Sequence, residues 1–225
     1  MDILAQIKGG LIVSCQALPD EPLNSSYIMA RMAYAAMLGG AKGIRANTAL
    51  DILEIKKLVN LPVIGIVKRD YQDSPIYITP TMGEIEELIG CGAEIIAMDA
   101  TNRLRPDGEC LGSFFRRVKE KYPNQLWMAD CATFTEGMEA ARLGFDLVST
   151  TLCGYTDESK GVEVPDYRLL TDLVSQCGKP VVAEGGIWSP EALKSAMDCG
   201  VHAAVVGSAI TRPMLITERF VKAIG

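Results

Sequence analysis

Apolar and polar positions alternate along this chain in a repeating order. Short apolar runs occur at 11–16 (LIVSCQ), 43–47 (GIRAN), 63–68 (VIGIVK), 94–100 (EIIAMDA), 126–130 (LWMAD), 147–151 (LVSTT), 181–186 (VVAEGG) and 202–208 (HAAVVGS). Several are rich in Val and Ile, and all are short enough to be buried strands. The longer segments between them have helical periodicity. SSYIMARMAYAAML spaces its apolar residues three and four apart. TFTEGMEAARL opens with Thr133 or Thr135 as its N-cap, and SPEALKSAMDC has Ser189 as N-cap with Pro190 at the first helical position. The joints recur as well: MLGGAKGIRA, LIGCGAEIIAMD, ARLGFDLVST and MDCGVHAAVVG each end a helix at glycine and enter a strand within a few residues.

Strands alternating with helices predict a parallel sheet. Eight such units within 225 residues predict a single (β/α)8 TIM barrel domain over residues 1–225, a little below the typical size of about 250 residues. An open doubly wound sheet is the alternative architecture. No Pro/Ser/Gly-rich linker divides the chain. The stretch 71–81, YQDSPIYITPT, is longer than the other strand-to-helix connections and is expected to form a small lid or hairpin.

A barrel of this type carries its active site at the C-terminal ends of its strands. The residues there are Gln16; Arg45 and Asn47; Lys68, Arg69 and Asp70; Asp99; Asp130; Thr150 and Thr151; Glu184; and Gly207 and Ser208, followed by Thr211 and Arg212. Proximity to solvent explains some of this polarity. It explains poorly why a lysine, arginines, aspartates and a glutamate converge on one mouth. The only histidine, His202, sits at the start of the eighth strand, away from that mouth. Histidine is the commonest general base, so proton chemistry here falls to Lys68, a carboxylate or a less common group. The turns AEGGI and VVGSAITRP follow strands seven and eight, where this fold commonly binds phosphate on glycine-rich backbone. Gly186, Gly207 and Ser208 would supply that cradle, and Arg212 a bidentate partner.

Composition narrows the functional classes. A net charge of -6 and a pI of about 5.0 are unlike the basic stripe of a nucleic-acid binder, yet they are compatible with a local phosphate site. The seven cysteines are scattered and contain no CxxC pair, so neither a disulfide framework nor a zinc site is expected. Most read as small buried residues in a reducing cytoplasm, and Cys15 and Cys153 lie near predicted strand ends. MDILAQIKGG lacks the features of a signal peptide, and no apolar run is long enough to predict a membrane span.

The segments GLIVSCQALPDEPL, GIRAN, LPVIGIVKRDY, YITPT, ARLGFDLVSTTLCGYT, AEGGI and VVGSAITRP closely resemble the N-acetylmannosamine-6-phosphate 2-epimerases of bacterial sialic-acid catabolism. The resemblance runs from residue 10 to about 222. It implies a cofactor-independent, metal-free barrel that interconverts two phosphorylated N-acetylhexosamines, and related enzymes suggest a homodimer. By that resemblance the lysine of GIVKR is Lys68 and the glutamate after strand seven is Glu184, both catalytic. Gln16, Arg45, Asp130 and Arg212 match substrate-binding positions, and Thr150 is a further candidate contact. Strands three and seven lie opposite each other in a ring of eight, so Lys68 and Glu184 should face one another. Both a two-base scheme and a one-base scheme through Lys68 remain open, with the one-base scheme preferred. A lysine base must be neutral; burial and Arg45 or Arg69 would lower its pKa, and Glu184 would raise it. Three rivals share parts of this pattern: a Schiff-base aldolase, a metal-dependent ribulose-phosphate epimerase and a non-catalytic sugar-phosphate sensor.

Overall fold

A computed structural model describes residues 2–225. Its sheet is a closed barrel of eight parallel strands joined in chain order. The strands are β1 (Gly10–Cys15), β2 (Gly43–Asn47), β3 (Val63–Ile66), β4 (Ile95–Asp99), β5 (Leu126–Asp130), β6 (Leu147–Ser149), β7 (Val181–Glu184) and β8 (Ala203–Val206). Ring closure is the β1–β8 pairing, with Gly10 opposite Ala203 and Val13 opposite Val206. The barrel reading holds, and the open-sheet alternative is excluded.

Helix α1 (Ile3–Ile7) precedes β1 at the base of the barrel. Each strand is then followed by a helix: α2 (Ser26–Leu38), α3 (Ala49–Lys56), α4 (Met82–Gly90), α5 (Leu111–Lys121), α6 (Phe134–Leu143), α7 (Tyr167–Gln176) and α8 (Pro190–Asp198). After β8 come the single turn α9 (Ser208–Thr211) and then α10 (Pro213–Ala223). Thr133, not Thr135, caps α6; it forms a capping box with Glu136, and Thr81 and Glu84 do the same for α4. Ser189 caps α8 with Pro190 at its first position, as its sequence predicts. Gly144 ends α6 in the left-handed region at φ 94°, which few other residues adopt cheaply.

Side-chain parity organises the core. Successive residues of a strand point to opposite faces. Ile12, Ile64, Ile66, Ile95, Met128 and Leu147 pack with one another inside the barrel, above Ile7 from α1. Their alternates, such as Val13, Ile44, Val63, Ile96, Trp127 and Val148, pack outward against the helices. His202 belongs to the base: its Nε2 lies 2.8 Å from the Leu4 carbonyl, and its own carbonyl accepts from Gly9 N at 2.7 Å. The segment after β3 forms a small hairpin. Lys68 bridges Ile78 and Tyr71 bridges Ser74, both antiparallel.

Candidate active site

The same parity decides which polar side chains enter the mouth. In β2, Ile44 and Ala46 face the helices, so Arg45 turns inward and is almost wholly buried. In β3, Ile64 and Ile66 face inward, and two residues further on Lys68 continues that face beyond the last ladder residue. Val67 and Arg69 point the other way; Val67 joins the outer core. In β7, Val182 faces inward and Glu184 follows it. The result is a cavity of about 300 Å³ whose wall includes Gln16, Arg45, Lys68, Thr151, Glu184 and Arg212.

Arg45 anchors the floor. Its Nη1 and Nη2 donate to both oxygens of Asp130, at 3.1 and 2.6 Å, and Nη1 also donates to Glu184 Oε2 at 2.8 Å. Burial works against its charge, but the two carboxylates outweigh it and raise its pKa above the ordinary arginine range. Glu184 is raised, first by burial and then by Asp130, against the lowering pull of Arg45, a hydrogen bond from Thr151, and Lys68. Lys68 makes no side-chain hydrogen bond or ion pair among the described residues; only its backbone N–H is tied, to Asn47 Oδ1 at 2.8 Å. Its pKa falls to about 8, through burial first and then the charges of Arg45 and Arg212, with Glu184 and Asp130 opposing. The site therefore holds an amine near its deprotonation point beside a carboxyl that is reluctant to ionise.

The phosphate-type turns close the opposite wall. Gly185 and Gly186 have φ of 104° and 70°, and a Cβ on Gly186 would sit 2.4 Å from the backbone carbonyl of Val164. Gly207, Ser208 and Arg212 also line the cavity. Ser208 begins α9, which Thr211 fastens to β1 by donating to the Ser14 carbonyl at 2.7 Å. Arg212 Nη2 lies 3.0 Å from Glu21 Oε1. Gln16 donates to Ser14 Oγ at 2.6 Å and leaves its buried Oε1 without a partner.

Three of these residues lie away from the cavity wall. Thr150 does not line the cavity. With Leu147 inward and Val148 outward, Thr150 faces outward; its hydroxyl donates to the Glu184 carbonyl at 2.9 Å and accepts from Glu184 N at 3.1 Å. Thr151 takes the inward position. Asp130 is fully buried beneath Arg45 and contributes no wall to the cavity, so its place is behind the arginine. Arg69 does not face Lys68. It pairs with Glu84 and Glu87 of α4, and Arg212 is the second cation acting on the lysine.

Asp99, which also ends a strand at the mouth, is buried against Thr101 and Arg103 and lies outside the cavity. Neither Cys15 nor Cys153 lines the cavity; both thiols are buried and pushed up, to about 12 and about 11. Sequence reasoning missed Tyr77 and Trp188 on the wall. Tyr77 arrives through the antiparallel Lys68–Ile78 bridge, which no periodicity announces. Among the described residues, no group of three or more His, Cys, Asp or Glu side chains is arranged to hold a metal.

The chain and its fold have close relatives. Residues 29–225 match the family model described as "Putative N-acetylmannosamine-6-phosphate epimerase". A relative from Caldanaerobacter subterraneus subsp. tengcongensis is 54% identical over 221 residues, covering 98% of this chain and 93% of its own length. One from Clostridioides difficile is 55% identical over 222 residues, covering 99% of each. Both carry the name "Putative N-acetylmannosamine-6-phosphate 2-epimerase". Among solved structures, the N-acetylmannosamine-6-phosphate 2-epimerase from Clostridium perfringens superposes with a TM-score of 0.95 at 53% identity, covering 99% of this chain and 96% of that one. A thiamine phosphate pyrophosphorylase from Pyrococcus furiosus, at 16% identity and a TM-score of 0.63, shares the fold alone.

Proposed function

The chain belongs to the N-acetylmannosamine-6-phosphate epimerase family, and from that premise we propose that it interconverts N-acetylmannosamine 6-phosphate and N-acetylglucosamine 6-phosphate, in the degradation of sialic acid. One observation carries the reading: an unpaired, desolvated Lys68 amine shares a cavity with Glu184 and with glycine turns suited to phosphate.

Epimerisation at carbon 2 removes its proton and returns one to the opposite face. That proton is acidic only when the sugar ring is open and carbon 1 is an aldehyde. The site must therefore open the ring, deprotonate carbon 2 and stabilise the enolate. Lys68 is the base for carbon 2. Its pKa of about 8 leaves a useful neutral fraction near physiological pH while keeping it basic enough to act. Glu184 moves protons at the ring oxygen and the carbon 1 hydroxyl, because a raised pKa suits a group that both donates and accepts. Arg45 holds Glu184 in place and supplies positive charge beside the developing oxyanion.

The backbone at Gly186, Gly207 and Ser208, with Arg212, receives the phosphate. Gln16 offers its unpartnered Oε1 to a donor group of the sugar. Asp130 acts on substrate through Arg45. The seven unpaired thiols fit a reducing cytoplasm, and the apolar residues Phe220, Val221 and Met214 exposed on α10 fit a homodimer.

The test is a proton NMR time course with N-acetylmannosamine 6-phosphate in D2O, without added metal or cofactor. N-acetylglucosamine 6-phosphate carrying deuterium at carbon 2 is the expected product. Partial retention of the original hydrogen marks the one-base route through Lys68, whereas the two-base route gives full deuteration. Tight binding of the sugar phosphate with no product overturns the proposed activity.

A further inference from the structure

Thr151 lies between the two carboxylates of the site. Its Oγ1 is 2.7 Å from Asp130 Oδ1, 3.1 Å from Glu184 Oε2 and 2.8 Å from Ser149 Oγ. A hydroxyl offers one proton and two lone pairs. The carboxylate contacts claim the Thr151 proton, so Ser149 is the donor in its contact with Thr151 and fills one lone pair. One proton and one lone pair then remain for two carboxylate oxygens. If both carboxylates are ionised, one of them faces a lone pair. If Glu184 carries a proton on Oε2, Glu184 donates to Thr151, Thr151 donates to Asp130, and every contact is a hydrogen bond. Asp130 is the weaker candidate for that proton, because Arg45 donates to both of its oxygens while Glu184 receives one such bond.

We propose that Thr151 is a positioning residue for the proton transfers, a hydroxyl that keeps Glu184 hydrogen-bonded in both of its protonation states by turning its one proton between Glu184 and Asp130. Its role in turnover rests on the epimerase reading above; the hydrogen-bond count rests on geometry alone. The other charged groups facing Glu184 are Arg45 from β2, Asp130 from β5 and Lys68 after β3; Arg212 and Tyr77 line the same cavity. When Glu184 gains or loses its proton, the hydroxyl rotates and no heavy atom has to move. A group that hands protons to and from the sugar visits both states in each cycle, so it needs a neighbour that serves both. Thr150 cannot substitute, since its hydroxyl is committed to the Glu184 backbone.

The count also fixes a direction. A hydroxyl that only donated to ionised Glu184 would hold its proton affinity down; here the hydroxyl makes one more hydrogen bond when Glu184 is protonated, accepting from Glu184 while donating to Asp130, so removing it weakens proton binding. The experiment is a ¹³C NMR titration of the Glu184 side-chain carboxyl in the full chain, assigned with Glu184→Gln, alongside kcat and KM across pH. The Glu184 midpoint in Thr151→Val should fall by roughly half to one pH unit. Its kcat should drop about ten- to a hundredfold, with KM within about threefold of native. Thr151→Ser keeps the hydroxyl and should titrate like the native chain, with kcat restored to within about threefold. A native or higher midpoint in Thr151→Val overturns the proposal, as does a serine variant that behaves like the valine variant, which would assign the effect to the lost methyl. Should Thr151→Val not fold, Thr151→Ala carries the same test. If the native chain does not turn over, the epimerase reading fails by itself, and the titration still decides what Thr151 does.

Discussion

Two arginine–carboxylate clusters flank the exit of β3, built from the same ingredients on opposite sides of the barrel wall. Inside, Arg45 spans Asp130 and Glu184; outside, Arg69 spans Glu84 and Glu87. In the outer cluster every carboxylate is paired. Glu84 accepts from Thr81 and Tyr71 as well as Arg69, and despite its burial these bonds hold its pKa below the usual range. The arginine itself is 45% exposed, so water screens the cluster. The inner arginine is 1% exposed, and its cluster opens on a cavity that also contains Lys68 without a side-chain partner. Arginine straddling two carboxylates is thus a structural clamp in one place and a reactive floor in the other. The difference is desolvation together with a group left unsatisfied, which is what perturbs proton affinity.

The harshest test removes that unsatisfied group. Lys68→Met should lower kcat by about two to four orders of magnitude while the sugar phosphate still binds. In the native chain kcat/KM should rise as pH passes through about 8, because the amine becomes a base on losing its proton. Stability should move the other way. The folded pKa of about 8 lies below the ordinary lysine value of 10.5, so the unfolded chain binds more protons between those values, and native stability rises with pH across that window. Below the window the buried ammonium costs about 3 kcal/mol. Lys68→Met should accordingly be more stable than the native chain at pH 7 and lose that advantage above about pH 10.5. Denaturation midpoints at pH 7 and pH 10.5 check both signs, and a variant less stable than native at pH 7 would mean the inner cluster holds the ammonium comfortably.

Arg45→Met should weaken both function and fold. It strands two carboxylates on the floor of the site, at about 3–5 kcal/mol of stability. Loss of the charge beside the oxyanion should also lower kcat by about two to three orders of magnitude. Arg45→Lys should recover little, since a point charge cannot hold both oxygens of Asp130 and Glu184 together. Urea titration and steady-state kinetics on the two variants separate charge from geometry.

Much of this was legible in the sequence, for a stated reason. Eight short apolar runs and glycine-ended helices determine the barrel, and the barrel determines which ends carry chemistry. Parity then sorts the individual residues: GIRAN and VIGIVK already place Arg45 and Lys68 on the inner face. Applied to LVSTT, the same rule selects Thr151 over Thr150, and applied to VKR it sends Arg69 outward. Tyr77 was not legible, because the length of the 71–81 connection announces a hairpin but not the antiparallel register that brings Tyr77 to the cavity. The depth of Asp130 was hidden too, since sequence shows that a residue ends a strand but not how far an arginine reaches over it.

Arg69→Met is the smallest change and the sharpest control. It differs from Lys68→Met by one position in sequence and by a whole barrel wall in space. Each of its ion pairs is partly exposed and worth about 0.2–1 kcal/mol, so the variant should lose about 1 kcal/mol of stability. Glu84 keeps its bonds to Thr81 and Tyr71, so no buried carboxylate is abandoned. Turnover should stay within about twofold, as expected for a substitution outside the reacting groups. The pH limb near 8 should not move, because the cations acting on Lys68 are Arg45 and Arg212. A tenfold loss of kcat with the limb unchanged would show that the outer clamp positions the lysine through the hairpin. A shift of the limb itself would mean that Arg69 acts on the amine electrostatically after all, and the separation between the two clusters would not stand.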